Sequence, residues 1–240
     1  MTIVGIIPAR YASVRFPGKP LALLAGRPMV LHVLDAGRKA GKLDRVVVAT
    51  DDERIAAAVR GAGGEALMTS AEAASGTDRL AEAAAKIPAD VYINIQGDEP
   101  MMSAENIDRV AETLLAAPDR RIATLAIPLS ADGAPDPNVV KVVVARDGRA
   151  LYFSRSPIPY FRQGEPAYCK HLGLYAYRAA TLAEIARLPP SPLERAESLE
   201  QLRWLEAGLA IWVGAAVTDS IGVDTPEDLA RTEEILSQCP

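Results

Sequence analysis

Three cations follow the first apolar run of this sequence and stand close together. Arg10, Arg15 and Lys19 lie in the stretch IIPARYASVRFPGKPL, beside Ser13 and Gly18. Guanidinium and ammonium groups form charge-assisted hydrogen bonds to phosphate oxygens, each contributing about 1.5–3 kcal/mol, and a glycine lets the backbone approach a ligand closely. The stretch therefore predicts a site for an anion with several phosphate groups. The alternative is an exposed connection whose cations face solvent.

The same stretch excludes two common nucleotide-binding motifs. Gly18-Lys19 is followed by Pro20, and no glycine stands five residues before Gly18, so the sequence is not a Walker A loop. No G-x-G-x-x-G follows the first apolar run either. A dinucleotide-binding dehydrogenase thus loses its main sequence support.

Two carboxylates follow later apolar runs. Asp98 lies in QGDEP, next to Glu99, and Asp224 lies in IGVDTPEDL. Carboxylate oxygens are the protein ligands with which Mg²⁺ is held when it is shared with substrate phosphates. Each motif also has a simpler interpretation, since QGDEP is typical of a turn and Asp224 is an acid favoured at a helix N-terminus. Together with the cationic loop, the two acids favour a site for a metal ion and phosphates.

The motif SGTDRL has both a structural and a functional interpretation. It predicts a capping box between Ser75 and Asp78 at the start of a helix, or a nucleotide contact through Ser75 and Arg79.

The two histidines of the sequence differ in their surroundings. His32 stands among apolar residues of a helical pattern and is interpreted as structural. His171 is the better binding candidate, because alternation in HLGLYAYR places it on one strand face with Gly173, Tyr175 and Tyr177.

The elements that must position these residues follow from the hydrophobic pattern. Apolar, β-branched runs alternate with Ala-rich helical stretches, which predicts βαβ units and a mainly parallel sheet covered on both faces. The predicted helices in this part of the chain span residues 28–40, 53–62 and 104–116. Ligands of such sheets bind outside the carboxyl ends of the strands, so we expect a site in the segments that follow Ile7, Ala49 and Ile95.

The second half of the sequence has a different pattern. Four strand-like runs, IATLAIPL, VVKVVVAR, ALYFSR and HLGLYAYR, are not all separated by long helices, so some should pair antiparallel. One amphipathic helix is predicted from about Leu193 to Glu206, with Ser191 as its cap and Gly208 as its stop. A last strand in AIWVGAAV precedes a C-terminal helix with Thr225 as the expected N-cap.

Length and composition fit one large α/β domain or two small ones. The chain has 240 residues, 49% of them hydrophobic, and a formal net charge of -5, which gives no reason to expect nucleic-acid binding. No run approaches the roughly 20 apolar residues of a membrane helix, and the first run is too short for a signal peptide. We therefore expect a cytoplasmic protein without membrane insertion, in which Cys169 and Cys239 are plain thiols.

Taken in order over nearly the whole chain, the motifs resemble those of the 3-deoxy-manno-octulosonate (Kdo) cytidylyltransferase family. The resemblance is carried by IIPARYASVRFPGKPL, VATDDE, SGTDRLAEA, NIQGDEPM, DPNVVKVV, ALYFSRSPIP, HLGLYAYR, SPLERAESLEQLR and GVDTPEDL. The first motif is shared loosely with other sugar nucleotidyltransferases, whereas FSRSPIP, HLGLYAYR and LEQLR are much more specific to Kdo activation.

The resemblance implies a homodimeric enzyme with the three-layer α/β nucleotide-diphospho-sugar transferase fold, which is Rossmann-like with a mixed, mainly parallel sheet. Residues 1–240 would form a single nucleotidyltransferase domain, in which residues 150–212 contribute elements of the sugar pocket and the dimer contact. The implied reaction makes CMP-Kdo and pyrophosphate from CTP and Kdo, an acidic eight-carbon sugar, for lipopolysaccharide synthesis. Mg²⁺ is the implied cofactor.

The resemblance also implies a role for individual motif residues. Contacts to CTP are implied for Pro8, Ala9, Arg10, Ser13, Lys19, Ser75, Arg79 and Gln96. Contacts to the sugar are implied for Arg155, His171, Tyr175, Glu200 and Gln201. The implied Mg²⁺ ligands are Asp98 and Asp224, and the implied catalytic residues are Lys19, Arg10 and Asp98.

The implied chemistry places few demands on side-chain acids and bases. Attack of a sugar hydroxyl on the α-phosphorus, with loss of pyrophosphate, requires mostly positioning and charge neutralisation. No side chain stands out as a general base, so activation of the hydroxyl is assigned to the metal.

Two alternatives stay open beside this function. One is a cytidylyltransferase for another acidic sugar, such as the 8-amino analogue of Kdo; HLGLYAYR and LEQLR disfavour a sialic acid. The other is a catalytically silent nucleotide-binding regulator, which the intact Arg10, Lys19, Asp98 and Asp224 disfavour.

Overall fold

Strands and helices alternate through most of the chain, of which the computed structural model describes residues 1–12, 16–73 and 75–238. The strands are β1 (Ile3–Ala9), β2 (Leu23–Leu24), β3 (Arg27–Pro28), β4 (Arg45–Thr50), β5 (Glu65–Met68), β6 (Val91–Asn94), β7 (Ile122–Leu129), β8 (Lys141–Val144), β9 (Ala150–Ser154), β10 (Tyr168–Arg178) and β11 (Ile211–Ala215). The α-helices are α1 (Met29–Lys39), α2 (Glu53–Gly61), α3 (Gly76–Lys86), α4 (Ala104–Leu115), α5 (Ala179–Ile185), α6 (Pro192–Glu197), α7 (Gln201–Glu206) and α8 (Pro226–Gln238).

The chain forms two compact units, and the first consists of residues 1–108 and 220–240. In this unit β1 pairs in parallel with β4 and β6, and β4 pairs in parallel with β5. β1 is therefore an interior strand, and its nearly continuous apolar run is buried on both faces, as interior parallel strands require. Helix α1 contributes Val30, Val33 and Leu34 to the same core.

The order of the strands reverses at β1. From β1 the chain proceeds to β4 and β5 on one side, and it later returns to place β6 on the other side of β1. Such a reversal opens a crevice beyond the carboxyl ends of the strands, where α/β proteins bind their ligands. The residues that follow β1 and β6 flank this crevice, as the pattern of apolar runs predicts.

The second unit, residues 109–219, has a mixed strand arrangement. β7 pairs in parallel with β11 and antiparallel with β10, and β8 pairs antiparallel with both β9 and β10. The predicted antiparallel pairing in this part of the chain is confirmed. The register of β10 against β7 shifts between Leu172 and Tyr175, which marks a β-bulge.

The prediction of a single helix from Leu193 to Glu206 is wrong. Two helices, α6 and α7, occupy this stretch, and Ser198 between them has a left-handed backbone with φ 52°. A left-handed residue ends an α-helix because it turns the following amides away from the helix axis. The predicted cap is confirmed: the Ser191 hydroxyl accepts from the Glu194 amide at the start of α6.

The helix boundaries predicted in the first half of the chain agree with the structure to within one residue. Helices α1, α2 and α4 match the predicted spans 28–40, 53–62 and 104–116. The Thr225 hydroxyl accepts from the Asp228 amide, which confirms Thr225 as the cap of α8. Within the described residues, no helix combines the length and apolar character needed to cross a membrane. Cys169 is a free thiol, and Cys239 lies outside the described residues.

Candidate active site

A cavity of about 340 Å³ opens in the first unit beyond the carboxyl ends of β1 and β6. Its lining consists of Pro8, Ala9, Arg10, Lys19, Pro20, Ala73, Ser75, Gly76, Arg79, Gln96, Gly97, Asp98 and Asp224. The structure thus brings together every predicted CTP contact and metal ligand except Ser13. Ser13 and Arg15 lie outside the described residues.

The loop after β1 reaches the cavity through a turn at Gly18. Gly18 has φ 73° and donates its amide to the Tyr11 carbonyl oxygen at 2.9 Å. A side chain at this position would meet both the unfavourable backbone conformation and the Tyr11 ring, whose atoms lie 3.1 Å from the position of a Cβ. The turn delivers Lys19, the next residue, into the cavity.

Lys19 lies between the two predicted metal ligands. Its Nζ is 2.8 Å from Asp98 Oδ2 and 3.2 Å from Asp224 Oδ1, and only 12% of its side chain is exposed. The backbone joins the two acidic segments as well, because the Val223 amide donates to the Asp98 carbonyl oxygen at 2.8 Å. Residues more than a hundred positions apart in the sequence therefore share one centre of charge at the cavity wall.

The turn that carries Asp98 packs directly on the end of β1. A Cβ on Gly97 would lie 2.5 Å from the Pro8 carbonyl oxygen, closer than any side chain tolerates. Glycine is therefore required at position 97 for the strand ends to approach each other. Gln96, the residue before it, lines the cavity.

Helix α3 presents its N-terminus to the cavity. The Ser75 hydroxyl accepts from the Asp78 amide at 3.1 Å, and Asp78 Oδ2 accepts from the Ser75 amide at 3.0 Å, which confirms the predicted capping box. The hydrogen bond explains the local structure, and it leaves Ser75 at the cavity wall.

Arg79 lines the cavity through a side chain that is only 3% exposed. Its guanidinium lies 2.8 Å from Asp51 Oδ2 and donates to the Thr69 hydroxyl and, at 3.3 Å, to the Ser70 carbonyl oxygen. Asp51 Oδ1 is buried without a hydrogen-bond partner among the described residues. Sequence reasoning marked the segment after Ala49 but did not assign Asp51; the end of a buried strand was the available signal.

In the second unit, the predicted face of β10 carries a cluster of rings. The His171 ring centroid is 5.4 Å from that of Tyr175, which stacks on Tyr177 at 5.9 Å. Phe153 of β9 approaches His171 edge-on at 4.9 Å, and Trp204 of α7 approaches Tyr175 at 5.2 Å. The predicted sharing of one face by His171, Tyr175 and Tyr177 is confirmed, and α7 packs on that face.

His171 is neutral in these surroundings. Desolvation lowers the pKa of its imidazole to about 3. Its Nε2 lies 3.0 Å from the Thr124 hydroxyl oxygen, which is also within hydrogen-bond distance of the Leu172 and Leu174 carbonyl oxygens at the bulge. We assign the single Thr124 proton to one of these carbonyls, and on this assignment His171 donates through Nε2–H and keeps Nδ1 as an acceptor. Sequence reasoning missed Thr124, which lies on the neighbouring strand.

Tyr175 lies near the start of α7, where two further predicted sugar contacts, Glu200 and Gln201, are located. Burial raises the pKa of the Tyr175 hydroxyl well above its usual value, and the nearby Glu200 carboxylate acts in the same direction. Gln201 is buried at the start of α7. Glu200 lies 3.7 Å from Arg203, an outer contact in the ion pair that Arg203 forms with Glu194.

Arg155 follows β9 and is held by backbone oxygens. Its Nε donates to the Glu197 carbonyl oxygen at 2.7 Å, and its Nη1 donates to the Pro137 carbonyl oxygen at 2.9 Å. The Glu197 carboxylate accepts from the Arg155 amide at 2.9 Å and from the Ser154 hydroxyl at 2.6 Å. Sequence reasoning identified Arg155 but not Glu197, which holds it.

His32 has the structural role that the sequence predicts. Its Nε2 lies 2.9 Å from the Leu24 carbonyl oxygen, so the ring ties α1 to the short β2 strand.

The sequence matches the family model described as cytidylyltransferase over residues 4–211. A crevice at a strand-order reversal, lined by cations and carboxylates, is the arrangement expected of a nucleotidyltransferase. The fold and the match thus define a protein of the cytidylyltransferase class.

Curated relatives narrow this class. Proteins named 3-deoxy-manno-octulosonate cytidylyltransferase are 55% identical in Syntrophobacter fumaroxidans, over 99% of this chain and 98% of the relative, and 50% identical in Phocaeicola vulgatus, over 99% and 98%. The relative of that name from Myxococcus xanthus is 49% identical over 97% of this chain and 96% of its own length. The chain belongs to the 3-deoxy-manno-octulosonate cytidylyltransferase family.

Solved structures confirm the fold class that the sequence predicts. A structure of CMP:2-keto-3-deoxy-manno-octonic acid synthetase complexed with CTP is similar with a TM-score of 0.95 and 45% identity, over 99% of each chain. A cytidylyltransferase structure from Leptospira borgpetersenii serovar Hardjo-bovis has a TM-score of 0.67 at 16% identity, over 99% of this chain and 87% of that chain, and shares the fold alone.

Proposed function

We propose that this protein transfers CMP from CTP to Kdo, giving CMP-Kdo and pyrophosphate. The observation that carries the proposal is the contact of Lys19 with both Asp98 and Asp224 in a cavity beyond the strand ends. The identity of about 50% with Kdo cytidylyltransferases over the whole chain supports the same reaction.

The nucleotide is assigned to the cavity of the first unit. Arg10 and Lys19 neutralise triphosphate oxygens, and Pro8, Ala9, Ser75 and Gln96 line the remainder of the nucleotide site. Ser13 is kept as a proposed contact from the resemblance, although it lies outside the described residues. Arg79 lines the cavity too, and its ion pair with Asp51 fixes the wall on which the nucleotide rests.

Asp98 and Asp224 fit a Mg²⁺ ion that is shared with substrate. Their oxygens already converge on one cationic nitrogen, and carboxylates are the ligands that Mg²⁺ prefers. Among the described residues there is no group of three His, Cys, Asp or Glu side chains suited to hold a metal ion. Two carboxylates completed by phosphate oxygens are the usual arrangement for Mg²⁺. When bound there, Mg²⁺ would offset phosphate charge and activate the attacking hydroxyl.

The sugar is assigned to the residues of the second unit. Arg155 supplies a cation for its carboxylate, since a guanidinium has five donors and backbone oxygens take only some of them. The sugar hydroxyls are assigned hydrogen-bonding partners in the neutral His171 ring and in the side chains of Tyr175, Glu200 and Gln201. Because Thr124 fixes the His171 tautomer, Nδ1 is an acceptor for a sugar hydroxyl.

The reaction exchanges one phosphorus–oxygen bond for another. A sugar hydroxyl oxygen attacks the α-phosphorus of CTP, the bond to the bridging oxygen breaks, pyrophosphate leaves with that electron pair, and the hydroxyl proton passes to solvent. Lys19 and Arg10 offset the charge that develops on the leaving group. The protein's main contribution is to hold both reactants in position and to neutralise charge.

The wider assignments follow the family. We propose a homodimer in the cytoplasm that serves lipopolysaccharide synthesis, with residues 150–212 contributing to the sugar pocket and the subunit contact. The exposed Leu151 and Tyr160, which are 61% and 88% accessible, support a subunit contact in this segment.

Pyrophosphate release tests the function and the choice of sugar together. The purified protein is given CTP and Mg²⁺ with Kdo, its 8-amino analogue or a sialic acid in parallel. We expect the highest kcat/KM with Kdo; a small group changes such a ratio by about 1–3 kcal/mol, or roughly 10- to 200-fold. A preference for the 8-amino sugar would favour that alternative, and CTP binding without release from any sugar would favour the silent regulator.

A further inference from the structure

Lys141 is fully buried on β8 of the second unit, with no exposed surface. Its ammonium donates to the carbonyl oxygens of Asp136 at 2.9 Å, Val139 at 2.6 Å and Arg155 at 2.6 Å. An ammonium group has three donors, so these three carbonyls use its full capacity. A lysine is rarely buried unless its charge is compensated, and backbone dipoles compensate it here.

The three carbonyls belong to two different connections. Asp136 and Val139 lie in the turn before β8, whereas Arg155 follows β9. Lys141 stands opposite Ser154 in the pairing of β8 with β9, so its side chain reaches both connections from between them. The ammonium therefore joins the turn to Arg155.

Arg155 makes a second link to the same turn. Its Nη1 donates to the Pro137 carbonyl oxygen at 2.9 Å, while its amide and Nε are held from α6 by Glu197. The Arg155 carbonyl is thus held by Lys141, its amide by the Glu197 carboxylate, and its guanidinium by the backbone oxygens of Pro137 and Glu197. Without the ammonium, the carbonyl of Arg155 and the two turn carbonyls would lose their common donor.

The charged groups near Lys141 act on it in both directions. Desolvation lowers the pKa of its ammonium, as does the Arg155 charge, whereas Asp136 and Glu197 oppose this shift. Although these two acids lie near the Lys141 ammonium, its three hydrogen bonds go to backbone carbonyl oxygens. The ammonium therefore holds the backbone of the two connections in place.

We propose that Lys141 is a positioning residue for the sugar site, whose buried ammonium clamps the turn at 136–139 to Arg155 and thereby fixes the guanidinium that binds the sugar carboxylate. This inference rests on the proposed function, because it assigns Arg155 to the sugar. It predicts a defect in sugar use that leaves nucleotide use unchanged.

The test compares Lys141→Met with Lys170→Met. Methionine keeps most of the length and removes the donors. Lys170 pairs with Lys141 in the register of β8 and β10, and its ammonium makes an ion pair with Asp219 at 2.7 Å. In steady-state assays with Kdo and CTP, Lys141→Met should lower kcat/KM for Kdo by about 10- to 100-fold, as a displaced binding group does, and leave the KM for CTP within about twofold. Lys170→Met should leave both constants within about twofold.

Amide hydrogen exchange distinguishes a local loosening around Arg155 from a general loss of stability in the Lys141 variant. Amide hydrogen exchange of Lys141→Met should accelerate at residues 138–140 and at Arg155 and Ser156, and it should stay unchanged in β1 and β4. If the Met variant does not fold, the same assays are made on Lys141→Arg, which keeps the charge but alters the donor geometry; its kcat/KM for Kdo should fall by more than about twofold below the wild type, while its KM for CTP stays within about twofold.

The outcomes separate the two proposals. A wild-type protein inactive with Kdo contradicts the proposed function, and the clamp is then judged by hydrogen exchange alone. An active wild type whose Lys141 variant has an unchanged KM and kcat for Kdo overturns the clamp, as does an equal loss for both substrates or unchanged amide exchange at Arg155 and Ser156.

Discussion

Lys19 Nζ lies 2.8 Å from Asp98 Oδ2, which joins the loop after β1 to the turn after β6. Neighbouring parallel strands end at the same edge of the sheet, so residues 79 positions apart in the chain meet there. Asp224 adds a second carboxylate at 3.2 Å from the same nitrogen. The ammonium can bind phosphate oxygens and the two carboxylates can bind a metal ion, so the three groups together provide both functions of a triphosphate site.

Replacing Asp98 by Asn should stop turnover while the fold persists. The substitution keeps the shape and removes the charge that would hold Mg²⁺, so we expect kcat to fall by at least about 100-fold. Because Asp98 is 38% exposed, the free energy of unfolding should change by less than about 1 kcal/mol. Pyrophosphate release and urea unfolding measure the two effects. Asp119→Asn, at an exposed position, is the control, and near-normal rates for Asp98→Asn at ordinary Mg²⁺ would remove Asp98 from the metal site.

Replacing Lys19 by Met should impair nucleotide use far more than replacing a surface lysine. The variant leaves Asp98 and Asp224 without the cation they share and removes the proposed phosphate ligand, so kcat/KM for CTP should fall by about 100-fold or more. Lys86 makes an exposed ion pair with Glu82 at 2.8 Å and donates to the Met68 carbonyl oxygen at 3.0 Å, and it does not line the cavity, so Lys86→Met should change kcat/KM by less than about twofold. Equal effects of the two substitutions would make the Lys19 loop an ordinary solvated connection.

Replacing Gly97 by Ala should damage both the site and the fold. The new Cβ would lie 2.5 Å from the Pro8 carbonyl oxygen, so the turn carrying Asp98 must move. We expect a loss of about 1–3 kcal/mol in the free energy of unfolding and a raised KM for CTP. Gly61→Ala is the matched control, since no atom lies near its Cβ position and alanine favours the helix by up to about 1 kcal/mol. Wild-type behaviour of Gly97→Ala would show that the strand ends do not need this approach.

His171 should stay neutral through the physiological pH range. Its folded-state pKa of about 3 lies below the ordinary value of 6.5, so the unfolded state takes up a proton first as the pH falls. The stability that the neutral ring contributes is complete above about pH 6.5 and declines as the pH falls toward 3. The free energy of unfolding of the wild type minus that of His171→Gln should therefore decrease from about pH 7 to pH 5.

Nuclear magnetic resonance measures the same titration directly. The chain has two histidines, so His32→Gln leaves a single imidazole spectrum for His171. We expect its ring signals to stay constant from about pH 8 to pH 5.5 and its Nε2 to carry the proton. A titration midpoint near 6.5 would contradict the neutral assignment.

The residues that line the cavity of the first unit were largely predictable, because they follow directly after predicted strands. In the first unit each apolar run predicts a parallel strand, and the carboxyl ends of parallel strands meet at one edge of the sheet. The polar residues that directly follow these strands therefore face the crevice at that edge. Asp98 and Lys19 were found in this way, and the Ser75 capping box was visible within four residues. The contact between Lys19 and Asp98 itself required the fold.

The proposed sugar-binding residues of the second unit were predictable only where alternation alone decides the face of a strand. His171 and Tyr175 followed from the period of β10, but Thr124 sits on another strand and meets His171 only through pairing and a bulge. Lys141 looked like one residue of an apolar run, since backbone carbonyls as partners leave no mark in the sequence. The helix break at Ser198 could not be predicted either, because the residues on both sides of it follow the apolar periodicity of a helix.

Phosphorus nuclear magnetic resonance of one reaction tests the central claim most directly. Wild-type protein, CTP and Mg²⁺ are mixed with Kdo, and the phosphorus signals are followed until they stop changing. Our account predicts that each CTP consumed gives one CMP-Kdo phosphodiester and one pyrophosphate, and that the Asp98→Asn protein leaves CTP intact. Persistence of CTP with the wild type, or its cleavage to products without a CMP-sugar signal, would contradict it.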